Sequence, residues 1–597
     1  MVRLFRHRSA ERLVWPAPCA PKRRQGKQPL MSVAKPRQLP DNRLSDDAMS
    51  WQAEHQAWLE HIQQSQLSVF YHTYQVSEQA VAPYLLWVVG DIRIDKPSAD
   101  ELWQAVLSYA HTNNCAVYIT GQSQHKRQHS AQLRHYHRQQ PQTKHDVYWL
   151  DAFADKSRWL RDAQMLVTDQ WLTTIEAAIY RKPTMVYGHI GQVLQPWAQP
   201  DTAPQLLHKI EWSDWQQQQL LLATWFSQHC QGWQPELQQP CCVSQALAWL
   251  DVQFSARRRL PQKVSIYGVK RYWRGSFNAF FQGCQRQFMA QPTALPSTFI
   301  PVLWGNRAQV PQGSAQILRV EDGFLRSVGL GALFTRPLSW VVDDLGLYFD
   351  ATRLSRLEYF LQHHQFTQRE CQQAEQLHQK LLDANVTKYN TGQGNWQRKN
   401  NKQRVLLVVG QVENDASIEF GSPIIKSNIE LIRQVRRENP QAYLLYKPHP
   451  DVVAGARASG KNESQAHQWC DQVITHIGID QLYSQVDEVH VISSLAGFEA
   501  LLRDKKVVCY GQPFYAGWGL TLDKYPAARR TRQLTRSELI FASLIWYPLY
   551  ISPVTGYYCS VLQTVEHLQQ WKSSRSSHLT KLKVVGAKWL RTLIGTR

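Results

Sequence analysis

The sequence lacks any uninterrupted apolar run of eighteen or more residues, so it predicts no membrane-spanning helix. None of its ten cysteines belongs to a Cys-x-x-Cys pair, and Cys241 and Cys242 are adjacent, which argues against a zinc site and a disulfide framework. We therefore expect a reduced chain in the cytoplasm. No nucleic-acid-binding motif is present, so nucleic acid is not an expected partner.

Acidic residues are few relative to basic ones. The chain has 67 Lys and Arg against 47 Asp and Glu, a formal net charge of +20. This excess favours an anionic partner, and both an anionic membrane surface and an anionic sugar nucleotide fit it. Tryptophan is abundant, with 23 residues. Most of these rings are expected in cores, although saccharide-binding surfaces also use aromatic rings.

Polar residues repeatedly follow apolar strands between residues 319 and 519. The sequences that carry this pattern are Arg319-Val-Glu-Asp-Gly-Phe-Leu-Arg326, Gly410-Gln-Val-Glu-Asn-Asp415, Lys447-Pro-His449-Pro-Asp451 and Ser493-Ser494-Leu-Ala-Gly497-Phe-Glu499. In an open parallel sheet, ligands bind at the edge where the strands end. The pattern therefore predicts one ligand site built from these turns.

These motifs, with Gly511-Gln-Pro-Phe-Tyr-Ala-Gly-Trp-Gly519 downstream, resemble the KpsC family of capsule polysaccharide proteins, which are retaining β-Kdo glycosyltransferases. The resemblance covers roughly residues 255–565. It implies an α/β fold of the GT-B type, in which two Rossmann-like halves face a cleft. It also implies CMP-β-Kdo as donor, a lipid-linked or Kdo-terminated saccharide as acceptor, and no metal or other cofactor. The expected location is the inner face of the bacterial inner membrane, with other capsule synthesis and export proteins as partners.

The chain is predicted to contain five segments. We expect a basic, disordered N-terminus (1–49), a degenerate transferase-like α/β module with a helical linker (50–250), the two halves of the active module (255–400 and 401–565), and a basic amphipathic tail (571–597). The tail has seven Lys or Arg and no acid, which suits a helix on an anionic membrane surface. A solvated, frayed tail is the alternative.

An internal repeat supports the degenerate module. The segment that begins at Pro83 aligns with the segment that begins at Ala442, so that Val88 stands at the place of Lys447. A second alignment places Glu176 over Glu499. The first module is therefore expected to lack donor-binding chemistry.

The resemblance implies donor-binding roles for the residues after position 400. Lys447 and His449 supply a cation and a ring N–H to the departing CMP phosphate. Ser493 and Ser494 open a helix whose N–H groups suit a phosphate, and Glu499 is placed to accept from ribose or base hydroxyls. Gln411, Pro450 and Gly497 complete the predicted donor site.

Retention of configuration requires either a covalent glycosyl-enzyme or a same-face displacement. The covalent route needs a carboxylate nucleophile, for which Asp415 is the candidate. Glu321 or Asp322 is the candidate base for the acceptor hydroxyl. Arg319 and Arg326 are expected to hold the sugar carboxylate or to orient the two acids, and a structural ion-pair cluster is the alternative.

Two rival functions remain at this stage. A non-catalytic scaffold of the capsule assembly machinery would be expected to have lost the donor-binding motifs in both modules. Here only the first module has lost them. A transferase for another CMP-linked ulosonic acid would share every motif, since such donors differ by only a few hydroxyls.

Overall fold

The computed structural model describes the following residues: 10–13, 31–34, 83–88, 96–120, 147–149, 156–188, 190, 194, 207–212, 230–237, 239–241, 243–290, 299–306, 308, 316–326, 337–384, 396–398, 403–455 and 457–574. The chain divides into two compact units, Met1–Gln262 and Lys263–Arg597.

The first unit contains ten strands and four helices among its described residues. The strands are β1 (Ala10–Leu13), β2 (Met31–Ala34), β3 (Tyr84–Val88), β4 (Ala116–Thr120), β5 (Val147–Trp149), β6 (Met165–Thr168), β7 (Thr184–Val186), β8 (His208–Ile210), β9 (Cys230–Gln234) and β10 (Gln239–Cys241). The helices are α1 (Lys96–Thr112), α2 (Lys156–Asp162), α3 (Trp171–Ile179) and α4 (Val243–Arg258).

Six strands of this unit form a sheet with the order β5-β4-β3-β6-β7-β8, parallel except for the last pair. All residues of β3 are buried, as expected for a parallel strand covered on both faces. Strands and helices alternate along much of this sheet, as expected of the predicted α/β module. Strands β1 and β2 pair with β9 and β10 in a second, antiparallel sheet. Strands β1 and β2 lie within the segment predicted to be disordered, 1–49, and the rest of that segment lies outside the described residues.

The second unit contains the two halves that carry the site. Its strands are β11 (Lys263–Tyr267), β12 (Gln285–Met289), β13 (Ile300–Trp304), β14 (Leu318–Asp322), β15 (Ser339–Asp343), β16 (Val405–Val409), β17 (Tyr443–Lys447), β18 (Gln472–Val473), β19 (Glu488–Val491), β20 (Lys506–Cys509), β21 (Leu522–Asp523) and β22 (Pro548–Tyr550).

The described helices of this unit are α5 (Arg274–Phe280), α6 (Arg356–His363), α7 (Gln368–Ala384), α8 (Ala416–Glu419), α9 (Asn428–Glu438), α10 (Pro450–Val453), α11 (Ile479–Tyr483), α12 (Leu495–Leu501), α13 (Arg536–Ile540) and α14 (Val561–Ser574). Two 3₁₀ segments (Arg271–Trp273 and Glu463–Gln468) and one π-helical segment (Phe541–Trp546) complete the list of helical elements. No helix among the described residues has the length and apolarity needed to cross a lipid bilayer.

The sheet of the first half has the order β12-β11-β13-β14-β15-β22. Strands β12, β11, β13 and β14 are parallel, so their carboxyl ends lie along one edge. Strand β22 pairs antiparallel with β15 although it lies near the end of the chain. One strand of the predicted second half, 401–565, therefore belongs to the sheet of the first half, 255–400, because the chain returns to the first sheet after completing the second.

The sheet of the second half is parallel throughout, with the order β18-β17-β16-β19-β20-β21. The halves touch where Phe324, just after β14, packs on Phe514 with ring centroids 4.4 Å apart. Two such sheets around a cleft confirm the predicted α/β architecture with GT-B-like halves.

The internal repeat is real, but one of its two predicted alignments is wrong. The first unit repeats the strand order of the second half, with β3 and β16 at the centre of their sheets. Val409 of β16 pairs with Lys447, and Val88 of β3 pairs with Thr120. Thr120, not Val88, therefore holds the place of Lys447. The shared Tyr-Leu-Leu sequence gave the wrong alignment, because buried parallel strands tend to contain the same apolar residues whatever their place in the sheet.

Candidate active site

A cavity of about 790 Å³ lies between the two halves of the second unit. It is bounded by the carboxyl ends of β13 and β14 on one side and of β16, β17 and β19 on the other. Its volume is within the range of small-molecule sites. Among the residues predicted from the sequence, those that line it are Glu321, Asp322, Arg326, Gln411, Asp415, Lys447, His449, Pro450, Ser493, Ser494 and Glu499. Arg319 and Gly497 do not line it.

The end of β17 supplies positive charge to the cavity. Lys447 is only 9% exposed, and burial lowers the pKa of its ammonium while nearby Asp480 opposes that shift. Among the described residues, Lys447 has no salt-bridge partner, which leaves its charge available to an anionic ligand.

His449 is held in one orientation by the helix that it caps. Its Nδ1 accepts a hydrogen bond from the Asp451 backbone N–H at 3.2 Å, and Pro450 occupies the first position of α10. In the neutral ring the proton is therefore on Nε2, which is the donor that the predicted phosphate contact requires.

The Gln411 side chain lines the cavity, but its amide is hydrogen-bonded to two neighbouring segments of the protein, at Ser493 and at Ser417. Its Oε1 accepts from the Ser493 backbone N–H at 2.8 Å, and its Nε2 lies 3.3 Å from Ser493 Oγ and 3.4 Å from Ser417 Oγ. The Ser493 hydroxyl donates to the Ser417 carbonyl at 2.7 Å. Gln411 and Ser493 thus position the loop after β16 against the turn after β19, and the Ser493 O–H is already used within the protein.

The turn after β19 keeps Ser494 and Glu499 at the cavity. Ser494 caps α12, where its Oγ accepts from the Ala496 N–H at 3.2 Å. Glu499 accepts from the Tyr483 hydroxyl at 3.4 Å. Gly497 acts indirectly: a Cβ there would lie 2.3 Å from the hydroxyl oxygen of Tyr515, so only glycine permits this close approach. The predicted ligand contact of Gly497 is therefore replaced by a packing role.

Asp415 lies in the loop after β16 and is exposed to the cavity. Its side chain also caps α8, accepting a hydrogen bond from the Ser417 N–H. A capping carboxylate is fixed in orientation while its second oxygen stays accessible, which is compatible with the predicted role as nucleophile.

The opposite side of the cavity is formed by the end of β14. Asp322 Oδ2 accepts from Arg326 Nε at 2.5 Å, and Glu321 Oε1 accepts from the Asp322 N–H at 3.0 Å. Arg319 turns away and donates to the Gly305 carbonyl at 2.8 Å, and burial lowers its pKa. Of the two predicted roles for the arginines, the geometry favours orienting: Arg326 holds Asp322, and Arg319 holds the turn after β13.

Asp343 and Asp344, which the sequence analysis did not assign to the site, have structural roles. Asp343 accepts from the Leu345, Gly346 and Arg356 N–H groups and from the Tyr547 hydroxyl. Asp344 is paired with the Arg356 guanidinium. Among the described residues, no cluster of three or more His, Cys, Asp or Glu side chains is arranged to hold a metal ion.

Several cavity residues escaped the sequence analysis. Trp304 ends β13, Asn306 follows it, and His476 follows β18. Each lies at the end of a strand or shortly after it, so the same reasoning that identified Lys447 could have identified them. It did not because β13 ends in an aromatic ring and β18 is only two residues long.

Residues 305–557 match the family described as "Capsule polysaccharide biosynthesis protein". The chain is 42% identical over 309 residues to the capsule polysaccharide modification protein LipA of Neisseria meningitidis serogroup A, a match that covers 50% of this chain and 44% of LipA. It is 42% identical over 243 residues to the lipopolysaccharide-processing protein LpsZ of Rhizobium meliloti, covering 40% of this chain and 55% of LpsZ. The matches thus span about half the length of these curated relatives.

Two solved structures from Thermosulfurimonas dismutans KpsC are also similar. The chain is 33% identical to its beta Kdo 2,7 transferase, covering 52% of this chain and 99% of that one, with a TM-score of 0.44. For its beta Kdo 2,4 transferase the identity is 30%, with the same shares covered and a TM-score of 0.47. The sequence identity extends over nearly the whole of both transferase chains.

Proposed function

This chain belongs to the family of KpsC-like capsule polysaccharide biosynthesis proteins, and we propose that it is a retaining glycosyltransferase that moves β-Kdo from CMP-β-Kdo to a lipid-linked or saccharide acceptor. The observation that carries the proposal is the arrangement of charge in the cavity. Lys447 and His449 are on one side, Glu321 and Asp322 are on the other, and Asp415 lines the same space.

In the first step, a carboxylate oxygen of Asp415 attacks the anomeric carbon of the donor sugar. The bond from that carbon to the phosphate oxygen breaks, and its electron pair leaves with CMP. The negative charge that collects on the phosphate is stabilised by the Lys447 ammonium and the His449 Nε2–H. Because Lys447 is buried and His449 is held by its hydrogen bond from the Asp451 N–H, little reorganisation is needed as the charge develops.

In the second step, an acidic side chain on the opposite side removes the proton from an acceptor hydroxyl. The hydroxyl oxygen attacks the anomeric carbon, and the Asp415 carboxylate is released. Two inversions together retain the configuration. We assign the base to Glu321, whose Oε2 lies beside the turn that follows β13 at the cavity, and an orienting role to Asp322, which accepts from Arg326 at 2.5 Å.

We propose further that no metal takes part, because a buried lysine and an imidazole already face the site of the leaving phosphate. Incubation with a chelator should then leave turnover unchanged. A loss of turnover that added Mg²⁺ or Mn²⁺ restores would contradict this part of the proposal.

The test of the function is incubation of the purified full chain with CMP-Kdo and a Kdo-terminated acceptor. We expect release of CMP, a product heavier by one Kdo residue, and a retained anomeric configuration by NMR. A parallel reaction with another CMP-linked ulosonic acid tests donor choice. Absence of transfer from either donor, with the protein folded and binding CMP, would favour the scaffold function instead.

We also propose that the chain is a peripheral membrane protein through its basic tail. The predicted amphipathic segment, 571–597, lies outside the described residues beyond Ser574, and its sequence is the basis of this proposal. Full-length protein should sediment with anionic vesicles, partly released by salt, whereas protein lacking 571–597 should not. Equal sedimentation of the two would show that the tail is not the anchor.

A further inference from the structure

Two tryptophan rings stack at the edge of the first half, beside the carboxylate assigned as base. Trp304, the last residue of β13, lines the cavity, and its ring lies 6.0 Å from the ring of Trp273 at an interplanar angle of 29°. Both rings are partly exposed. Trp340 and Phe277 support them from the buried side.

The fold explains why these rings meet. Strands β11 and β13 are parallel neighbours, so their carboxyl ends are side by side. Each strand is followed by a glycine with positive φ, Gly268 at +65° and Gly305 at +63°, which turns the chain at the sheet edge. The 3₁₀ segment Arg271–Trp273 follows the first of these turns and places the Trp273 ring against the ring of Trp304 at the end of β13.

The stacked pair of rings, Trp304 and Trp273, is next to the proposed reacting groups. A Cβ placed on Gly305 would lie 3.8 Å from Glu321 Oε2, so the residue after Trp304 almost touches the proposed base. The donor-binding residues Lys447 and His449 come from the second half. The first-half side of the cavity is therefore the side on which an acceptor hydroxyl can reach Glu321.

The surface beyond Trp273 is basic. Lys270 and Arg271 are exposed, and among the described residues neither has an acidic partner within salt-bridge distance. Arg274, also exposed, has its guanidinium 4.9 Å from the ring centroid of Phe288. An aromatic surface flanked by unpaired cations suits a saccharide that presents an apolar ring face together with an anionic group.

We infer that Trp304 and Trp273 form the acceptor subsite: Trp304 stacks on the terminal sugar, and Arg271 and Lys270 bind an anionic group on the next residue of the acceptor. The inference rests on the proposed function, because it assigns the acceptor of that same reaction. The ligand class is a saccharide carrying carboxylates or phosphates, as opposed to a neutral glycan.

Fluorescence polarisation tests the subsite on the full chain without any turnover. The probes are a labelled oligosaccharide of Kdo, the same oligosaccharide with its carboxyl groups reduced, and a labelled phosphate-terminated oligosaccharide. We expect Trp304→Ala to weaken binding of an anionic probe by about tenfold and Trp304→Phe by only a few-fold, since Phe keeps an aromatic face. Arg271→Gln should weaken the binding of the anionic probes and leave the binding of the carboxyl-reduced probe unchanged.

Trp469→Ala is the matched control, because Trp469 is also partly exposed but does not line the cavity. It should leave probe binding unchanged, and every variant should bind CMP like the unchanged protein. Probe binding that Trp304→Ala does not weaken, or an unchanged protein that binds none of the probes, would overturn the subsite. Normal probe binding without sugar transfer would overturn the proposed function alone.

Discussion

The Asp415 carboxylate accepts a hydrogen bond from the Ser417 backbone N–H at 2.9 Å, so the residue proposed as nucleophile is also the N-cap of helix α8. In the proposed mechanism this side chain has both a structural and a chemical role, and a substitution can separate the two. Asparagine is as good an N-cap as aspartate but lacks the negative charge of a nucleophile.

We therefore expect Asp415→Asn to fold with unchanged thermal stability and to lose transfer by at least about a thousandfold. Asp415→Ala should lose transfer equally and in addition lose about 1 kcal/mol of stability, because the cap is gone. CMP release and thermal unfolding, measured on the same samples, check both statements.

Ser427→Ala is the control, since Ser427 caps α9 through the Glu430 N–H and does not line the cavity. It should lose about 1 kcal/mol of stability and keep its transfer rate. Near-normal turnover of Asp415→Asn would instead exclude a covalent route through this residue.

The burial of Lys447 leads us to expect that the affinity for CMP falls at alkaline pH. Burial lowers the pKa of its ammonium below the ordinary 10.5, opposed by the charge of Asp480. The CMP phosphate is fully charged above a pH of about 7, so the ligand does not titrate in this range. Because only the protonated lysine attracts the phosphate, CMP affinity should fall as the pH rises through the lowered pKa of Lys447.

Calorimetry with CMP from neutral to alkaline pH measures this fall. Lys447→Arg should remove it, since a guanidinium stays charged throughout that range. His449→Ala should weaken binding by roughly 1.5–3 kcal/mol at every pH and keep the alkaline fall. An identical pH profile for Lys447→Arg and the unchanged protein would show that this ammonium does not contact the phosphate.

The side of the cavity that the second half forms was predictable, because a parallel sheet brings the ends of its strands to one edge. Lys447, Ser494 and Asp415 are far apart in sequence, yet each lies at the end of an apolar strand or shortly after it, and all three line one cavity. The alternating pattern of strands and helices determined this part of the fold.

What the sequence did not reveal depends on contacts between distant residues. Arg319 belongs to the same motif as Arg326, but only the structure shows that it binds the Gly305 carbonyl. The return of β22 to the first sheet has no local signal, because Pro548–Tyr550 is a short apolar strand like many others. The place of Trp304 on the cavity was not predicted, because most tryptophans are buried in cores.

A buried ion pair ties helix α6 to the loop before α13. Glu358 Oε2 accepts from Arg530 Nη2 at 2.8 Å, the Arg529 guanidinium also contacts Glu358, and burial lowers the pKa of Arg530. Glu358→Gln leaves the buried Arg530 charge without its counter-ion. We expect it to lose about 3–5 kcal/mol of stability in chemical denaturation.

Asp504→Asn provides the comparison, because Asp504 pairs with Arg536 while its side chain is 75% exposed. Removing an exposed pair should change the free energy of unfolding by less than about 1 kcal/mol. Equal losses in the two variants would mean that Arg530 finds another counter-charge or hydration when Glu358 is neutralised.

Glu176 and Glu499 lie in equivalent helices, each connecting two strands of sheets that share the same strand order. Glu176 lies in α3 between β6 and β7, and Glu499 lies in α12 between β19 and β20. Glu499 lines the cavity, whereas Glu176 is 1% exposed, so only the former can contact a ligand without rearrangement. Each glutamate therefore serves as the natural control for the other.

We expect Glu499→Gln to weaken CMP binding by roughly 1.5–3 kcal/mol, the usual loss for a hydrogen bond to a charged group. Glu176→Gln should leave CMP affinity and turnover unchanged, whatever it does to the stability of the first unit. Calorimetry, corrected for the folded fraction, compares the two directly. A loss of one CMP equivalent in Glu176→Gln, with the protein folded, would show that the first unit binds nucleotide and that Thr120, at the place of Lys447, does not prevent it.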